Sequence, residues 1–597
     1  MSSAGPGNRS LGHTLPTLEW CAVAALALAG LTMLHGRTLR SGFTRLPGDL
    51  GDTRFLLLVL EHGFRYLRGD ALAQHFWSPA WEFFPSRNAL AYSENLVGDL
   101  PLYVPLRLWG LDPTRAFGAW IVLCSLLNFW ATVLLGRSLG LSRLGSGAAA
   151  TLFAFGMPRS QQLNHVQLFP QFWTPLCFFA LVASWRAWRA NRWLAARLWV
   201  AGSLACIAGQ VAAGVYLGDF LMLGLLALAS LGAVRIATDG VARADVRHFV
   251  ERTATAWLVG GALAATLLFP IGAAYGRAHR ELGGRDWREV GLMLPRVVSY
   301  LAPNPGSTFY GWLNPLGAGL PLSWEHTMFA GFAPLIALAW LATAWWRRKL
   351  PVADWVVAAT VGVWCLACLT TLYLGSYHGD PVSLWRLVRV LPGLDALRGV
   401  SRITMLELLP AGLAVGIAVT ALMRSARRWQ VVLGGLLAVL PLVENWSQCP
   451  ANVSRDEILS RARAVPRASP RAAKSFSGAA ARAIRHWSCT STRCLPRWIS
   501  GSQPSMDTPA TNLRAGPSSI RKGPRPFDLR SGSLAREGPA PRSACLTEVV
   551  AACDDLDRER GGEDPIARFV ENAIASDGGS GFSPSRERGQ DLADLGF

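Results

Sequence analysis

Charge is scarce in this chain of 597 residues: Asp, Glu, Lys and Arg make up 16%, against 51% hydrophobic residues. Soluble domains carry about 25% charged residues, so an ordinary soluble protein is excluded. Lysine is scarcer still, with only Lys349, Lys474 and Lys522 among 58 basic residues, the mark of a GC-rich coding sequence. The first apolar stretch, Leu18–Leu34, has no small-residue cleavage site and ends in His-Gly-Arg, so it reads as a retained span and not as a signal peptide. A disulfide framework is missing too, because Cys21, Cys124, Cys177, Cys206, Cys365 and Cys368 lie inside apolar segments. Cys365 and Cys368 read as small helix-packing residues, not as a redox or metal pair. No internal repeat with paired broken helices marks a transporter, and charges inside the apolar runs are few, chiefly Asp219 and Glu407.

What is present is a succession of apolar runs of about 17 to 25 residues, the length that crosses a bilayer as a helix. After Leu18–Leu34 they fall near Phe117–Leu135, Gly147–Met157, Val166–Trp185, Leu198–Ala213, Val215–Val234, Ala254–Tyr275, Met328–Trp346, Trp355–Leu374, Thr404–Met423 and Val431–Val443. The fold class is therefore an all-α polytopic membrane protein of about eleven transmembrane helices. The net charge of +19 does not point to nucleic acid, because the arginines gather between apolar runs, at Arg137 and Arg143, Arg186–Arg197, Arg235–Arg252, Arg347–Lys349 and Arg424–Arg428. These clusters follow every second span, as the positive-inside rule requires of cytoplasmic loops. The expected frame is a cytoplasmic tail over 1–17, a transmembrane domain over 18–450 with outer loops 36–115, 277–327 and 375–403, and an outside carboxyl terminus. The first outer loop is too long and too rich in Trp, Pro and acids for a linker, and is expected to be a folded cap.

From about Ser454 the apolar runs stop, and an Arg, Ser, Pro and Ala mixture over 451–597 reads as a low-order tail. An alternative is translation out of frame, since the genetic code allows codons for Arg497–Pro517 whose shifted frame spells a string with turn residues and aromatics. Cys489, Cys494, Cys545 and Cys553 are assigned no role.

The stretch Pro47–Arg68 holds the first candidates. Asp49 and Asp52 stand within a few residues of the first span, Gly48 and Gly51 permit a tight turn, and Arg54 opens an amphipathic pattern suited to an interfacial helix. Both aspartates can equally cap that helix. Arg398 and Arg402 lie four apart before the Thr404 span, on an expected helix face, to pair with an anionic ligand, with Asp395 or with lipid headgroups. His165, at the start of a span, is a substrate-binding candidate or an interfacial histidine. Glu325 and His326, at a loop-to-helix junction, read as substrate contacts, metal ligands or a cap. Asp219, near a tight turn through Gly214 together with Gln210 and Tyr216, is costly to bury in a span and so is a substrate-binding candidate.

A retained first span, then a loop opening with an acid and Asp-Thr-Arg-Phe (52–55) leading into an interfacial helix, resembles the GT-C class of integral membrane glycosyltransferases, which includes aminoarabinose transferases and protein O-mannosyltransferases. Pro158–Pro175, Glu325–Pro334 and Leu391–Arg402 are similar to stretches of large bacterial membrane proteins of this group. The resemblance covers about residues 15 to 450 and departs at one place: the enzymes usually show adjacent Asp-Glu, whereas here the acids stand three apart. It implies inverting transfer of a sugar from a polyprenyl phosphate to an acceptor hydroxyl at the outer face of a bacterial inner membrane. Asp52 would be the base, with Asp49 as its understudy or orienting group. Arg398, Arg402 and Arg54 would hold the donor phosphate. The partners implied are membrane lipid, the lipid-borne sugar and an unknown acceptor. A divalent metal is left open, and no other cofactor is called for. A carrier or flippase of lipid-linked sugars and a noncatalytic envelope protein are the alternatives.

Overall fold

The structure, a computed structural model, describes residues 11–79, 86–348, 352–375, 381–448 and 453–464. In chain order the helices are α1 (Leu11–Arg40), α2 (Asp52–Leu67), α3 (Leu100–Leu108), α4 (Pro113–Ser138), α5 (Arg143–Phe155) and α6 (Met157–Gln161). There follow α7 (Trp173–Arg189), α8 (Trp193–Ala213), α9 (Val215–Thr238), α10 (Gly240–Leu282), α11 (Trp287–Leu292) and α12 (Asn314–Ala318). The last six are α13 (Phe332–Trp346), α14 (Asp354–Thr371), α15 (Trp385–Val388), α16 (Thr404–Met423), α17 (Arg428–Glu444) and α18 (Arg455–Ala464).

Eight of these helical segments are long and apolar enough to cross a membrane, and all eight fall on expected runs. The other three expected spans are shorter helices: α5 has 13 residues, α13 has 15 and α17 has 17. They fall short of the roughly 20 residues a solitary span needs, and α5 in particular lies inside protein instead of facing outward. It is buried from Gly145 to Phe155, and Gly156 with Pro158 ends it. The outermost helices show the opposite: only 6% of the apolar window of α10 is buried, and Leu258, Leu263, Leu267 and Phe269 face out. An apolar belt of that extent needs a lipid-like cover.

The centre of the bundle is α16, whose apolar window is 89% buried. It packs on α5 backbone to backbone through small residues. A Cβ on Gly416 would stand 2.5 Å from the Gly145 carbonyl oxygen, and one on Gly412 would stand 2.6 Å from that of Ala149. Gly412 and Gly416 thus form a small-xxx-small face against the Gly145–Ala149 run, the means by which helices approach closely without a hydrophobic drive. The backbone N–H of Ser142 donates to Thr420 Oγ1 (3.0 Å) at the same seam.

Contacts sort the connections into two ends. At one end lie the arginine clusters: Arg143 pairs with Glu19, Arg424 donates to the Gly140 carbonyl, Arg189 pairs with Asp245 and Arg235 with Asp354. At the other end, β1 (Arg45–Leu46) pairs antiparallel with β2 (Val453–Ser454), Asn445 Oδ1 accepts from the Met157 N–H, and Asn304 donates to Ser160. The first long loop is folded, carrying α2 and α3. Glu61 of α2 accepts from the half-buried Arg107 and from the hydroxyl of Tyr103, Glu61 and Tyr103 being buried, which fixes α2 against α3.

Two boundaries differ from expectation. The first span runs on to Arg40, and α10 starts at Gly240, where Asp239 caps it by accepting from Val241 and Ala242. Order also continues past Ser454, because β2 has a partner strand in β1 and α18 follows it. The rest of the tail, 465–597 with its four cysteines, and Lys349 lie outside the described residues.

Gly416→Ala should cost about 1–3 kcal/mol by forcing α5 and α16 apart. Thermal unfolding in detergent should show a lowered midpoint, while Gly435→Ala, where a Cβ meets nothing within 4 Å, leaves it unchanged.

Candidate functional site

Asp52 is placed by the turn before α2. Gly48 has φ +91°, and a Cβ there would stand 2.7 Å from the Leu163 carbonyl oxygen, so only glycine lets this turn rest on the 162–165 segment. The Thr53 hydroxyl donates to the Pro47 carbonyl (2.9 Å). Asp49 Oδ1 accepts from the N–H groups of Gly51 (2.9 Å) and Asp52 (3.0 Å), satisfying donors at the start of α2. Gly51 is the N-cap and Asp49, two residues before it, caps from outside the helix, while Asp52, in the first turn, presents a side chain 52% exposed.

Opposite stands His165, held between two 3₁₀ turns, Gln162–Asn164 and Val166–Leu168. A buried arginine that the sequence reading passed over, Arg159, fixes this segment. Its three nitrogens donate to the carbonyls of Phe153 (3.0 Å) and Leu168 (2.9 Å) and to Gln171 Oε1 (2.6 Å). Among the described residues no carboxylate pairs with it. Carbonyls at a helix end carry partial negative charge and serve instead. Burial pushes this guanidinium down to about 9, still charged at neutral pH.

His165 Nε2 lies 3.3 Å from Asp52 Oδ2 and 3.1 Å from Arg402 Nη2. Arg402 is clamped by Glu325, with Nη2 to Oε1 at 2.8 Å and Nε to Oε2 at 3.2 Å, the two-pronged geometry that makes such pairs strong. The Tyr216 ring, at the start of α9, lies 5.5 Å from the Arg402 guanidinium carbon. Its hydroxyl oxygen faces the N–H groups of Arg398 (3.3 Å) and Gly399 (3.4 Å). Glu94 from the first loop accepts from the Val215 N–H (2.9 Å) and so holds the start of α9. Arg398 reaches outward to Glu289 (3.3 Å), half-exposed.

These neighbours set the proton affinities. Partial burial first, and Asp49 second, raise Asp52 above the usual aspartate range, with Arg402 and Arg398 pulling back. Burial and then Arg402 push His165 down to about 4, so the ring is neutral at pH 7 and its contact with Asp52 is not an ion pair. Burial would raise Glu325, but the attraction of Arg402 outweighs it and the carboxyl ends below its ordinary value. Glu94 is pushed up by burial against the Val215 and Tyr216 N–H groups.

Of the residues singled out from sequence, Asp52, His165, Glu325 and Arg402 come together in one cluster, Arg398 stands at its rim, and Asp49 caps the helix that bears Asp52. Arg54 follows two residues later on α2, half-buried. Arg398 and Arg402 do not share a helix face: Arg402 is on a 3₁₀ turn (Val400–Ile403), Arg398 precedes it, and their partners are Glu289 and Glu325. Asp395 pairs with His279 (3.5 Å). His326 turns away, with Nδ1 on the Ser299 hydroxyl (2.9 Å) and Nε2 on the Leu292 carbonyl (2.9 Å), so it cannot join Glu325 as a metal ligand. Among the described residues no group of three or more His, Cys, Asp and Glu could hold a metal ion. Asp219 lies one turn beyond Tyr216, with Oδ2 buried and lacking a hydrogen-bond partner. Glu94 and Glu289 escaped the sequence reading, since nothing local sets them apart from other acids of long loops. A hollow of about 430 Å³, lined by Tyr66, Asp70 and Gln74, is at the other end of α2, roughly 20 Å from Asp52 by helix rise.

No family model matches the chain, and no curated protein matches it either.

The clamp carries a pH signature. A carboxyl depressed in the folded state contributes stability above its unfolded value, about 4.3, and that contribution fades as pH falls through the folded one. Arg402→Gln should therefore lower the unfolding midpoint at pH 7 by more than at pH 3.5. It breaks a pair whose side chains are only 11% and 4% exposed, a loss of about 3–5 kcal/mol.

Proposed function

We propose that this protein is an integral membrane glycosyltransferase that moves a sugar from a polyprenyl phosphate to an acceptor hydroxyl, with Asp52 as general base. The observation that carries this reading is the meeting of Asp52, His165 and Arg402, brought from three distant parts of the chain to one end of an apolar helical bundle. A carboxylate raised above the usual aspartate range is a better proton acceptor than an ordinary aspartate, and half exposure leaves it accessible to an incoming hydroxyl. Arg402 has its Nε and Nη2 engaged, with no bond to Nη1 among the described residues, which leaves that edge for a phosphate oxygen. Arg398 at the rim adds a second cation. Together they would stabilise the charge that gathers on phosphate as the sugar carbon departs.

The sidedness follows from alternation. The eight long helices, with α5, α13 and α17 completing the alternation, run in turn between the arginine-rich end and the Asp52 end, which argues for eleven crossings. The positive-inside rule then assigns the arginine-rich end to the cytoplasm, with the amino terminus, and the Asp52 cluster and Asn445 to the outer face. Of the short helices, α5 is enclosed by protein, and α13 and α17 each bury one face against it. A lipid-borne donor suits a cluster at the rim of such a bundle, since its tail can remain among the helices.

Asp52→Asn should lower transfer from radiolabelled polyprenyl-phosphate glucose or mannose by about 10²–10⁴-fold while the protein stays inserted and abundant. Wild-type rates in both Asp52→Asn and Asp49→Asn would overturn the assignment.

A further inference from the structure

We infer that His165 is the proton carrier of this site, taking the acceptor's proton from Asp52 and delivering it to the phosphate oxygen freed at Arg402. The inference rests on the transfer reaction proposed above and assigns a residue and a route to the proton that Asp52 takes up. It stands on one nitrogen. His165 Nε2 faces the carboxylate at 3.3 Å and the guanidinium at 3.1 Å. A neutral imidazole nitrogen cannot serve both at once: as a lone pair it accepts from Arg402, and as N–H it donates to Asp52.

His326 also sets one ring nitrogen between a donor and an acceptor, Arg296 Nη1 (3.2 Å) and the Leu292 carbonyl (2.9 Å), but it is fully buried and its acceptor is a backbone carbonyl, which takes up no proton. His165 instead addresses the base and the phosphate-binding cation, and its backbone is pinned at both sides, its N–H donating to Gln162 (2.8 Å) and its carbonyl accepting from Leu168 (3.0 Å). The ring is held where a proton can change hands between Asp52 and a group at Arg402.

The step balances as follows. The acceptor O–H breaks and its proton goes to Asp52 Oδ2 while the acceptor oxygen forms its bond to the sugar carbon. The bond from that carbon to phosphate breaks, and the electron pair stays on the phosphate oxygen. The proton moves from Asp52 Oδ2 to His165 Nε2, and from Nε2 to the phosphate oxygen at Arg402, leaving a glycosylated acceptor, a protonated lipid phosphate, and Asp52 and His165 as they began. The groups facing the ring are Asp52 and Asp49, which favour the imidazolium, Glu325, which favours it, and Arg402 and Arg398, which oppose it. Burial adds to the opposition, so a proton reaching this nitrogen is passed on and not kept.

The test uses the full-length protein in detergent and lipid, with polyprenyl-phosphate glucose or mannose as donor and native membranes as the source of acceptor. His165→Gly should lower kcat by about 100-fold with donor KM changed little, and added imidazole should restore much of the loss, with a rescue that follows the free-base form as pH rises. His165→Gln, which keeps a hydrogen-bonding amide but cannot carry a proton, should be as slow as His165→Gly and insensitive to imidazole. Equal thermal midpoints among the variants would show the fold intact. A His165→Gln variant at the wild-type rate, or a His165→Gly deficit that imidazole leaves unchanged, overturns proton carriage alone. Absence of transfer by the wild-type protein overturns it together with the function on which it rests.

Discussion

The two-pronged bond between Arg402 and Glu325 is the constraint from which the rest of this end of the molecule takes its shape. Arg402 stands at the entrance to α16, the most enclosed helix, and Glu325 stands on a turn that the left-handed Leu322 starts. Each charge would be costly in that position alone, and together they tie the 283–331 and 381–403 segments to the head of the central helix. The clamp fixes the guanidinium plane, and with it the edge turned toward His165 and the face laid on Tyr216. Arg159 does the corresponding work on the other side with a different partner set, using carbonyl oxygens where Arg402 uses a carboxylate.

Held between these anchors, two titratable groups have their proton affinities drawn toward one another. Asp52 is raised by partial burial and its neighbour Asp49, and His165 is lowered by burial and Arg402. An aspartate and a histidine ordinarily differ by about 2.6 units, which makes transfer from the acid to the ring downhill and return steep. Narrowing that gap lets a proton pass through the pair without being trapped on either. The same environment leaves the edge of Arg402 next to the ring, so the groups needed for accepting a proton and for steadying a departing phosphate adjoin.

Much of this was legible in the chain, and where it was not the reasons are physical. The eight long helices follow from apolar runs and the arginines between them. The runs near Gly147, Met328 and Val431 look alike in composition, yet they form helices of only 13, 15 and 17 residues, and of these only α5 is enclosed along its length. Asp52, His165, Glu325 and Arg402 stood out as polar residues at junctions between loops and apolar runs, where water gives way to a poor solvent for charge. Their pairing did not show, since partners such as Glu325 and Arg402 are far apart in sequence and Gly399 breaks the helix that the spacing of Arg398 and Arg402 suggested. Asp49 went the other way: its value lies in two backbone N–H groups it satisfies, a local capping pattern that sequence alone left as one of two readings.

The central claim is that a lipid phosphate is held at Arg402 on the side facing Asp52. An experimental structure of the protein with bound polyprenyl phosphate tests this most directly. The account requires phosphate density within hydrogen-bond distance of Arg402 Nη1, with His165 between it and Asp52. Density for the phosphate at the hollow lined by Tyr66, Asp70 and Gln74, or at the arginine-rich end of the bundle, would contradict it.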